Sequence, residues 1–403
     1  MTREPRIAVI GAGMAAARFA ERYHALGGTA RVTLYGAEPR APYNRVLLAD
    51  VLTGRYDADA ISLPFGRAEL RPGAEAVGLD PAARLLTLAD GSTEPWDKLV
   101  LATGANPVLP PIRGLRRPDG TGLRDGVHAL RTLADCARLT EDATQAQRAV
   151  VIGGGVLGVS TARALAALGL AVEIVHQGPY LIERQLDAQA AAALRGALRA
   201  LGVETYPGNR ARAVTAAGEV ELANGYRLDT DLIVLACGVR PRTALAHAAG
   251  LAVGTGIVVD DTLATSAPHV HAIGDCAQHR GTVHGLAGPA WEQADVLAAR
   301  LSGADPEARY TGSRPLARLS AGPIEYAAFG DVQPDEQPEL DVLRLTDATR
   351  GSYKKLVLRG DRLVGAILLG DLATVGDLAR ALERDDPLPD HPLHLLTTLG
   401  AAR

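Results

Sequence analysis

The sequence predicts an α/β fold with two similar nucleotide-binding halves. Two glycine-rich turns, each behind an apolar strand-like run and before a helix-like one, carry this prediction. The first turn is Gly11-Ala-Gly13-Met14-Ala-Ala16 and the second is Gly153-Gly-Gly155-Val-Leu-Gly158. One such turn is weak support, but two imply two dinucleotide sites in one chain. Strand-like runs at 256–260 and 269–275 then return to the first half, so we predict two Rossmann-like domains, one inserted in the other, plus a small C-terminal α/β domain.

Composition agrees with several globular domains. The chain has 403 residues, a length that exceeds what a single hydrophobic core usually supports. Its 47% hydrophobic and 22% charged residues are typical of globular proteins. The formal net charge of -4 gives no reason to expect nucleic acid or an anionic membrane as partner. The chain begins Met-Thr-Arg-Glu-Pro and contains no stretch long enough to cross a bilayer. We expect a cytoplasmic protein.

The first half starts with a strand–helix–strand unit. Residues 6–10 predict a buried parallel strand, a helix follows to about Leu26, and residues 31–35 predict the second strand. The amide groups at the start of that helix can hold a pyrophosphate. Glu38, just past the second strand, is placed to accept a hydrogen bond from a ribose hydroxyl. A plain surface glutamate is the alternative for Glu38.

Both halves follow the same plan further along the chain. Leu99 to Leu101 predict a strand that runs into Ala102-Thr103-Gly104, and prolines from 107 to 111 mark a linker. The second half begins near Arg148, has its second strand at 172–175, and ends with a strand at 232–235 before Ala236-Cys-Gly238.

The last part of the chain differs in pattern. Strands are predicted at 356–358 and 363–369, and a helix at 375–384. The predicted boundaries are therefore 1–115 with 240–309 for the first domain, 116–239 for the second and 310–403 for the C-terminal domain.

The three cysteines are far apart in sequence. Cys136, Cys237 and Cys276 form no C-x-x-C pair, which excludes an obvious redox disulfide, zinc knuckle or iron–sulfur cluster built from this chain alone. Each is interpreted as a small buried hydrophobic residue.

The order of these motifs resembles the two-dinucleotide-binding-domain flavoprotein reductases, in which FAD lies on the first and third segments and NAD(P)H on the inserted one. Shorter strings resemble the flavin module of the assimilatory nitrite reductase large subunit and the electron-transfer subunits of nitrate reductase. These strings are Gly36-Ala-Glu-Pro39, Pro42-Tyr-Asn-Arg45, Glu183-Arg-Gln-Leu-Asp187, Glu292-Gln-Ala294 and Tyr353-Lys-Lys-Leu-Val-Leu358.

The resemblance implies which residues contact each cofactor. On the FAD side they are Gly11, Gly13, Met14, Ala16, Glu38, Asn44, Arg45, Thr103, Gly104, Gly274 and Asp275. On the NADH or NADPH side they are Gly153, Gly155, Gly158, His176 and Gly238. It implies direct hydride transfer to flavin, with no catalytic acid or base and no metal.

Two departures from the family pattern concern the nicotinamide side. Ser160 stands where many relatives carry a glutamate, and His176-Gln177 provides neither an acid for an NAD ribose nor a basic pair for a 2′-phosphate. Arg184 could approach a 2′-phosphate, although a solvated helix position is favoured for it. The choice between NADH and NADPH therefore stays open at this point.

Two functions remain as hypotheses, together with a non-enzymatic alternative. The leading hypothesis is an FAD-dependent NAD(P)H reductase that passes electrons to a separate redox protein, such as a nitrite or nitrate reductase component or a ferredoxin-like protein. The chain ends at Arg403 without cysteine-rich segments, so we expect it not to reduce nitrite alone. The second hypothesis is a self-contained flavoenzyme acting on a small organic substrate in specialised metabolism, and the alternative is a nucleotide-sensing interaction protein. The C-terminal domain is a candidate docking or homodimer surface.

Overall fold

The computed structural model describes residues 4–314, 316–321, 324–332, 339–347, 349–389 and 392–396. Two compact units share the chain. One comprises Met1–Leu48, Tyr56–Asn106 and Val239–Pro315, and the other comprises Ala49–Arg55, Pro107–Gly238 and Leu316–Arg403. Within the described ranges, no helix has both the length and the apolar character needed to cross a membrane.

The regular elements follow in chain order. The helices are α1 Met14–Ala25, α2 Leu48–Leu52, α3 Leu133–Ala143, α4 Val156–Ala167, α5 Ala188–Ala200, α6 Ala244–Ala248, α7 Ala287–Ser302 and α8 Val375–Arg384. The strands are β1 Arg6–Ile10, β2 Arg31–Gly36, β3 Glu69–Pro72, β4 Ala76–Asp80, β5 Leu85–Leu88, β6 Thr93–Pro95, β7 Lys98–Leu101, β8 Ala105–Pro107, β9 Val127–Ala129, β10 Arg148–Ile152, β11 Ala171–Val175, β12 Val203–Tyr206, β13 Ala211–Val214, β14 Val220–Leu222, β15 Arg227–Leu228, β16 Leu232–Leu235, β17 Val239–Pro241, β18 Ile257–Val259, β19 Val270–Ala272, β20 Ala277–His279, β21 Leu316–Ala321, β22 Ile324–Gly330, β23 Asp341–Asp347, β24 Ser352–Arg359 and β25 Arg362–Leu369.

A parallel sheet in the order β19-β7-β1-β2-β3 forms the centre of the first unit. Its middle strand β1 is buried from Ile7 to Ile10, which explains the continuous apolar run. The register places Ile10 beside Tyr35 on β2 and Leu101 on β7. Because parallel strands end at the same edge, the turn after β1 meets the turn after β7 there.

The second unit contains a parallel sheet in the order β12-β11-β10-β16-β9. Here Ile152 lies beside Val175 on β11 and Leu235 on β16. The sheet repeats the plan of the first unit with a second fingerprint in the equivalent turn. The predicted α/β fold with two Rossmann-like halves is confirmed.

The C-terminal part of the second unit is an antiparallel sheet in the order β21-β22-β25-β24-β23. Leu378 and Leu382 of α8 belong to the same apolar core as the sheet residues. The predicted helix at 375–384 is confirmed, and the predicted strands at 356–358 and 363–369 lie within β24 and β25.

A buried polar cluster joins β24 to the start of α5 within the second unit. The Tyr353 hydroxyl donates to Asp187 Oδ2 at 2.7 Å, and Lys355 Nζ lies 3.1 Å from the same oxygen. Asp187 Oδ1 caps α5 by accepting from the Ala190 N–H at 2.9 Å. Burial raises the pKa of Asp187, but hydrogen bonds from Ala190, Tyr353 and Lys355 outweigh it and leave that pKa below its usual value.

We expect Asp187→Asn to destabilise the protein by about 3 kcal/mol, because the Lys355 ammonium would stay buried without its anion. A melting temperature several degrees lower would report this loss. The matched control is Asp229→Asn, which removes an exposed ion pair with Arg148 and should cost less than about 1 kcal/mol. The difference from wild type should shrink as the pH falls below the ordinary aspartate value of 3.8, because protonation removes the same charge. Equal melting temperatures at neutral pH would contradict this prediction.

Candidate functional site

The first glycine-rich turn lies at the carboxyl edge of the first unit's sheet. Gly11 has φ +109°, and a Cβ on it would overlap the Ala102 carbonyl oxygen. Gly13 is the N-cap of α1 and has nothing within 4 Å of its Cβ position. No side chain of the described residues caps α1, which begins at Met14. The amides of its first turn therefore have no side-chain acceptor among the described residues, which fits an anionic pyrophosphate.

Glu38 follows β2 and is anchored by two neighbours. Its Oε2 accepts from the Tyr43 hydroxyl at 2.8 Å, and its Oε1 accepts from Arg45 Nη2 at 2.5 Å. Arg45, expected along the flavin or its phosphates, is thus brought together with the proposed ribose acid. Asn44 accepts from the Val46 N–H at 3.1 Å and caps the short helix that follows.

The turn after β7 is joined to a later segment of the same unit. Thr103 Oγ1 donates to the Arg242 carbonyl at 2.8 Å, and the Gly104 carbonyl accepts from the Arg242 N–H at 2.9 Å. Gly104 has φ +70° and open space at its Cβ position. These contacts fix the turn that the family resemblance predicts to lie next to the flavin.

The Gly274-Asp275 turn packs against the start of α1. A Cβ on Gly274 would lie 3.0 Å from the Cβ of Ala15, and Gly274 has φ +76°. Its N–H donates to Gln293 Oε1 at 2.7 Å, and Gln293 on α7 is only 2% exposed. No role for Gln293 was predicted from the sequence, although the Glu292-Gln-Ala294 string contains it. Gln293 is a positioning residue for this turn.

The first unit therefore gathers most of its predicted residues at one edge of the sheet. Ala16 is fully buried in α1 directly behind the turn. The glycines, the uncapped helix and the acid beyond β2 fit a dinucleotide such as FAD.

The second glycine-rich turn repeats this geometry. Gly153 has φ +114°, and its Cβ would overlap the Ala236 carbonyl oxygen. Gly155 is the N-cap of α4, with no capping side chain in the described chain and open space at its Cβ position. A Cβ on Gly158 would overlap the Gly153 carbonyl, so the helix approaches the strand closely there. Gly238, after β16, has φ +91°.

His176 follows β11 and is nearly buried. Its Nδ1 accepts from the Gly154 N–H at 3.1 Å, and burial lowers the pKa of its imidazole. The neutral ring therefore carries its proton on Nε2, which lies 3.7 Å from Glu183 Oε2. Gln177 and Arg184 are exposed, and Arg184 lies in a turn before α5 rather than in a helix. Ser160 is half-buried on α4.

The cysteines differ in burial. Cys136 and Cys276 are buried, as predicted, whereas Cys237 is only partly buried. Burial raises the pKa of the Cys237 thiol to about 11, so this thiol is protonated at neutral pH and is a poor nucleophile.

We expect Gly11→Ala to purify with little or no FAD. The added methyl group would push the turn away from β7, and overpacking of about 2 kcal/mol weakens binding more than tenfold. The flavin-to-protein absorbance ratio measures this loss. Gly91→Ala is the matched control, because Gly91 has φ +85° but open space around its Cβ position. A Gly11→Ala protein with full flavin content would contradict the assigned role.

We expect Gln293→Leu to weaken FAD binding roughly tenfold, because the partly buried Gly274 N–H loses its acceptor. Titration of FAD into the stripped protein, followed by flavin fluorescence, gives the dissociation constant. Gln278→Leu is the matched control, since Gln278 accepts from the Gly256 N–H at 2.9 Å in the same unit. The prediction is wrong if both variants bind FAD with the same constant.

Comparisons with known proteins agree with this geometry. The family described as pyridine nucleotide-disulphide oxidoreductase matches residues 5–294, and the rubredoxin NAD+ reductase C-terminal domain matches residues 315–386. The chain is 34% identical over 390 residues to a nitrite reductase [NAD(P)H] of Bacillus subtilis, covering 94% of this chain and 47% of that protein.

Two further relatives support the same family. The chain is 34% identical over 379 residues to the assimilatory nitrate reductase electron transfer subunit of Bacillus subtilis, covering 92% of this chain and 48% of that protein. The chain thus spans about half the length of the curated relatives it matches. A ferredoxin reductase structure from Rhodopseudomonas palustris is 28% identical with a TM-score of 0.84, covering 96% of each chain.

These matches confirm the predicted resemblance to flavoprotein reductases of the nitrite and nitrate reductase type. They also confirm the prediction of an oxidoreductase that uses FAD and NADH or NADPH. The chain belongs to the pyridine nucleotide-disulphide oxidoreductase family.

Proposed function

We propose that this chain is an FAD-dependent reductase that takes electrons from NADH or NADPH and passes them to a separate redox protein. The observation that carries the proposal is the repeated plan of the two units. Each has a glycine turn pressed against a neighbouring strand end, followed by a helix N-terminus that no side chain of the described residues caps. Two dinucleotide sites in one chain suit transfer between two bound nucleotides.

The chain's own residues position the cofactors in this proposal. Gly11, Gly13 and the first turn of α1 hold the FAD pyrophosphate, and Glu38 orients the adenosine ribose. Gln293 fixes the turn that carries Asp275. FAD, when bound, supplies a ring that accepts a hydride and releases electrons. Hydride transfer needs orientation and exclusion of water more than an acid or base, so no side chain is assigned a proton-transfer step.

The nicotinamide nucleotide is assigned to the second unit. Gly153, Gly155 and Gly158 face its pyrophosphate, Gly238 lies at the turn after β16, and His176 borders the ribose. The assignment rests on the open space at the Cβ position of Gly155 and on the N-terminus of α4, which no side chain in the described part of the chain caps.

The proposed acceptor is a redox component of nitrate or nitrite assimilation, or a ferredoxin-like protein. One relative is named as an electron transfer subunit of assimilatory nitrate reductase, which supports a separate acceptor. The antiparallel C-terminal sheet is the proposed docking surface, because its sequence matches the C-terminal domain of rubredoxin NAD+ reductases. Use of this surface in a homodimer is the competing proposal.

Anaerobic reduction of the purified protein tests this function. We expect a yellow protein whose flavin absorbance is lost on adding NADH or NADPH and returns on adding an oxidised ferredoxin or rubredoxin. Ferricyanide is the control acceptor, since it accepts electrons without specific docking.

Two outcomes would contradict the proposal. Flavin that neither nucleotide reduces would exclude a nicotinamide reductase. Flavin that only a small organic substrate reduces would favour the self-contained flavoenzyme, for which Ser160 and the His176-Gln177 pair are the sequence features in favour.

A further inference from the structure

The two units can be aligned residue by residue at their second strands. Tyr35 lies beside Ile10 in the first unit, and Val175 lies beside Ile152 in the second. The next turn repeats the match, because the Gly11 N–H donates to the Tyr35 carbonyl and the Gly153 N–H donates to the Val175 carbonyl, both at 2.8 Å. Tyr35 and Val175 are therefore equivalent. Three residues later, Glu38 is equivalent to Gly178.

A second pair of hydrogen bonds supports this equivalence independently. The Glu38 carbonyl accepts from the Gly73 N–H at 3.0 Å, just after β3. The Gly178 carbonyl accepts from the Gly208 N–H at 2.7 Å, just after β12. The backbone at Gly178 thus follows the backbone at Glu38, and only the side chain is missing.

The side chain of another residue occupies the position of that missing side chain. A Cβ built on Gly178 would overlap the carboxylate of Glu183. The Glu183 carboxylate therefore occupies the position where a side chain at 178 would begin. The second unit thus has an acid beside the position equivalent to Glu38, and it comes from a residue five positions later in the chain.

Local contacts hold the Glu183 segment in this arrangement. Ile182 has φ +54°, a left-handed conformation that turns the chain back. Its N–H donates to the Gly154 carbonyl at 2.8 Å, while the Gly154 N–H donates to His176 Nδ1 at 3.1 Å. The fingerprint, His176 and the Glu183 turn are thus hydrogen-bonded to one another. The Glu183 side chain remains 36% exposed, so a ligand can reach its carboxylate.

We propose that Glu183 selects NADH over NADPH by accepting hydrogen bonds from the adenosine ribose of NADH. An acid at this place in a dinucleotide fold binds the ribose hydroxyls, and its charge repels a 2′-phosphate. The neighbouring Arg184 is exposed and gives the opposite expectation, since an arginine accommodates a 2′-phosphate. This inference rests on the proposed nicotinamide function, and it assigns the choice that His176-Gln177 left open.

Binding of the adenosine halves tests Glu183 without relying on turnover. The probes are ADP-ribose and its 2′-phosphate, titrated by calorimetry into the FAD-loaded protein. We expect wild type to bind ADP-ribose at least about tenfold more tightly than its 2′-phosphate, because a charge-assisted hydrogen bond contributes more than a neutral one. In Glu183→Gln the ratio of the two dissociation constants should shrink about tenfold, since the carboxylate charge is gone while a hydrogen-bonding group remains.

Two control variants make the result specific. Glu141→Gln, on an exposed face of α3, should leave the ratio unchanged. Arg184→Gln should also leave it unchanged, and a loss of 2′-phosphate binding in that variant would transfer the selecting role to Arg184. A melting temperature equal to wild type shows that Glu183→Gln folds normally.

Each remaining outcome separates the inference from the function on which it rests. Tighter binding of the 2′-phosphate by wild type, or an unchanged ratio in Glu183→Gln, overturns the role of Glu183. If NADPH nevertheless reduces the flavin, the reductase function stands. If neither probe binds and neither nucleotide reduces the flavin, both proposals fail.

Discussion

The approach of two glycines to neighbouring strand ends is the constraint on which both proposed sites depend. At Gly11 the turn meets the Ala102 carbonyl, and at Gly153 it meets the Ala236 carbonyl, in each case closer than a Cβ allows. Close-packed interiors relax little around an added methyl group. The turn therefore stays at the sheet edge only if the residue is glycine with a positive φ. This contact places the N-terminus of the next helix, which no described side chain caps, at the edge of the sheet, where its amides can bind an anion. Without it, neither helix would present its N-terminus to a dinucleotide.

Local sequence patterns predict the parts of the molecule whose structure is determined locally. The run Arg6–Ile10 and the helix Val375–Arg384 have the predicted bounds, because burial on both faces and helical periodicity leave a direct record in the sequence. The glycine turns can also be predicted from the sequence, since few other residues tolerate their conformation. Tertiary contacts between residues that are distant in the chain leave no such pattern in the sequence. Gln293 lies nineteen residues from the Gly274 N–H that it accepts from, and nothing in the string Glu292-Gln-Ala294 indicates that partner.

The position of Glu183 explains why the acid proposed to bind the ribose of the nicotinamide nucleotide could not be predicted from the sequence. His176 and Gln177, neither of them an acid, directly follow the second strand of this unit. The structure supplies an acid through a left-handed residue, Ile182, which no periodic pattern predicts for a β-branched side chain. The strain of that conformation is offset by the hydrogen bond from Ile182 to the Gly154 carbonyl. The same glycine accepts this bond and donates to His176, so the acid and the phosphate-binding turn are positioned together.

The segment from His176 to Asp187 is fixed at both ends within the second unit. At one end His176 accepts from the fingerprint, and at the other Asp187 binds Tyr353 and the buried Lys355 of the C-terminal sheet. Buried ion pairs contribute little net stability compared with apolar packing, but they disfavour alternative arrangements, since a buried charge without its partner is costly. We infer that Asp187 and Lys355 serve to set the register of this segment. A carboxylate that distinguishes a hydroxyl from a phosphate must be placed accurately, and a segment anchored only at the fingerprint would leave the Glu183 turn free to move. Through Asp187 the C-terminal sheet thus holds the far end of the segment that carries Glu183, in addition to its proposed role in docking an acceptor.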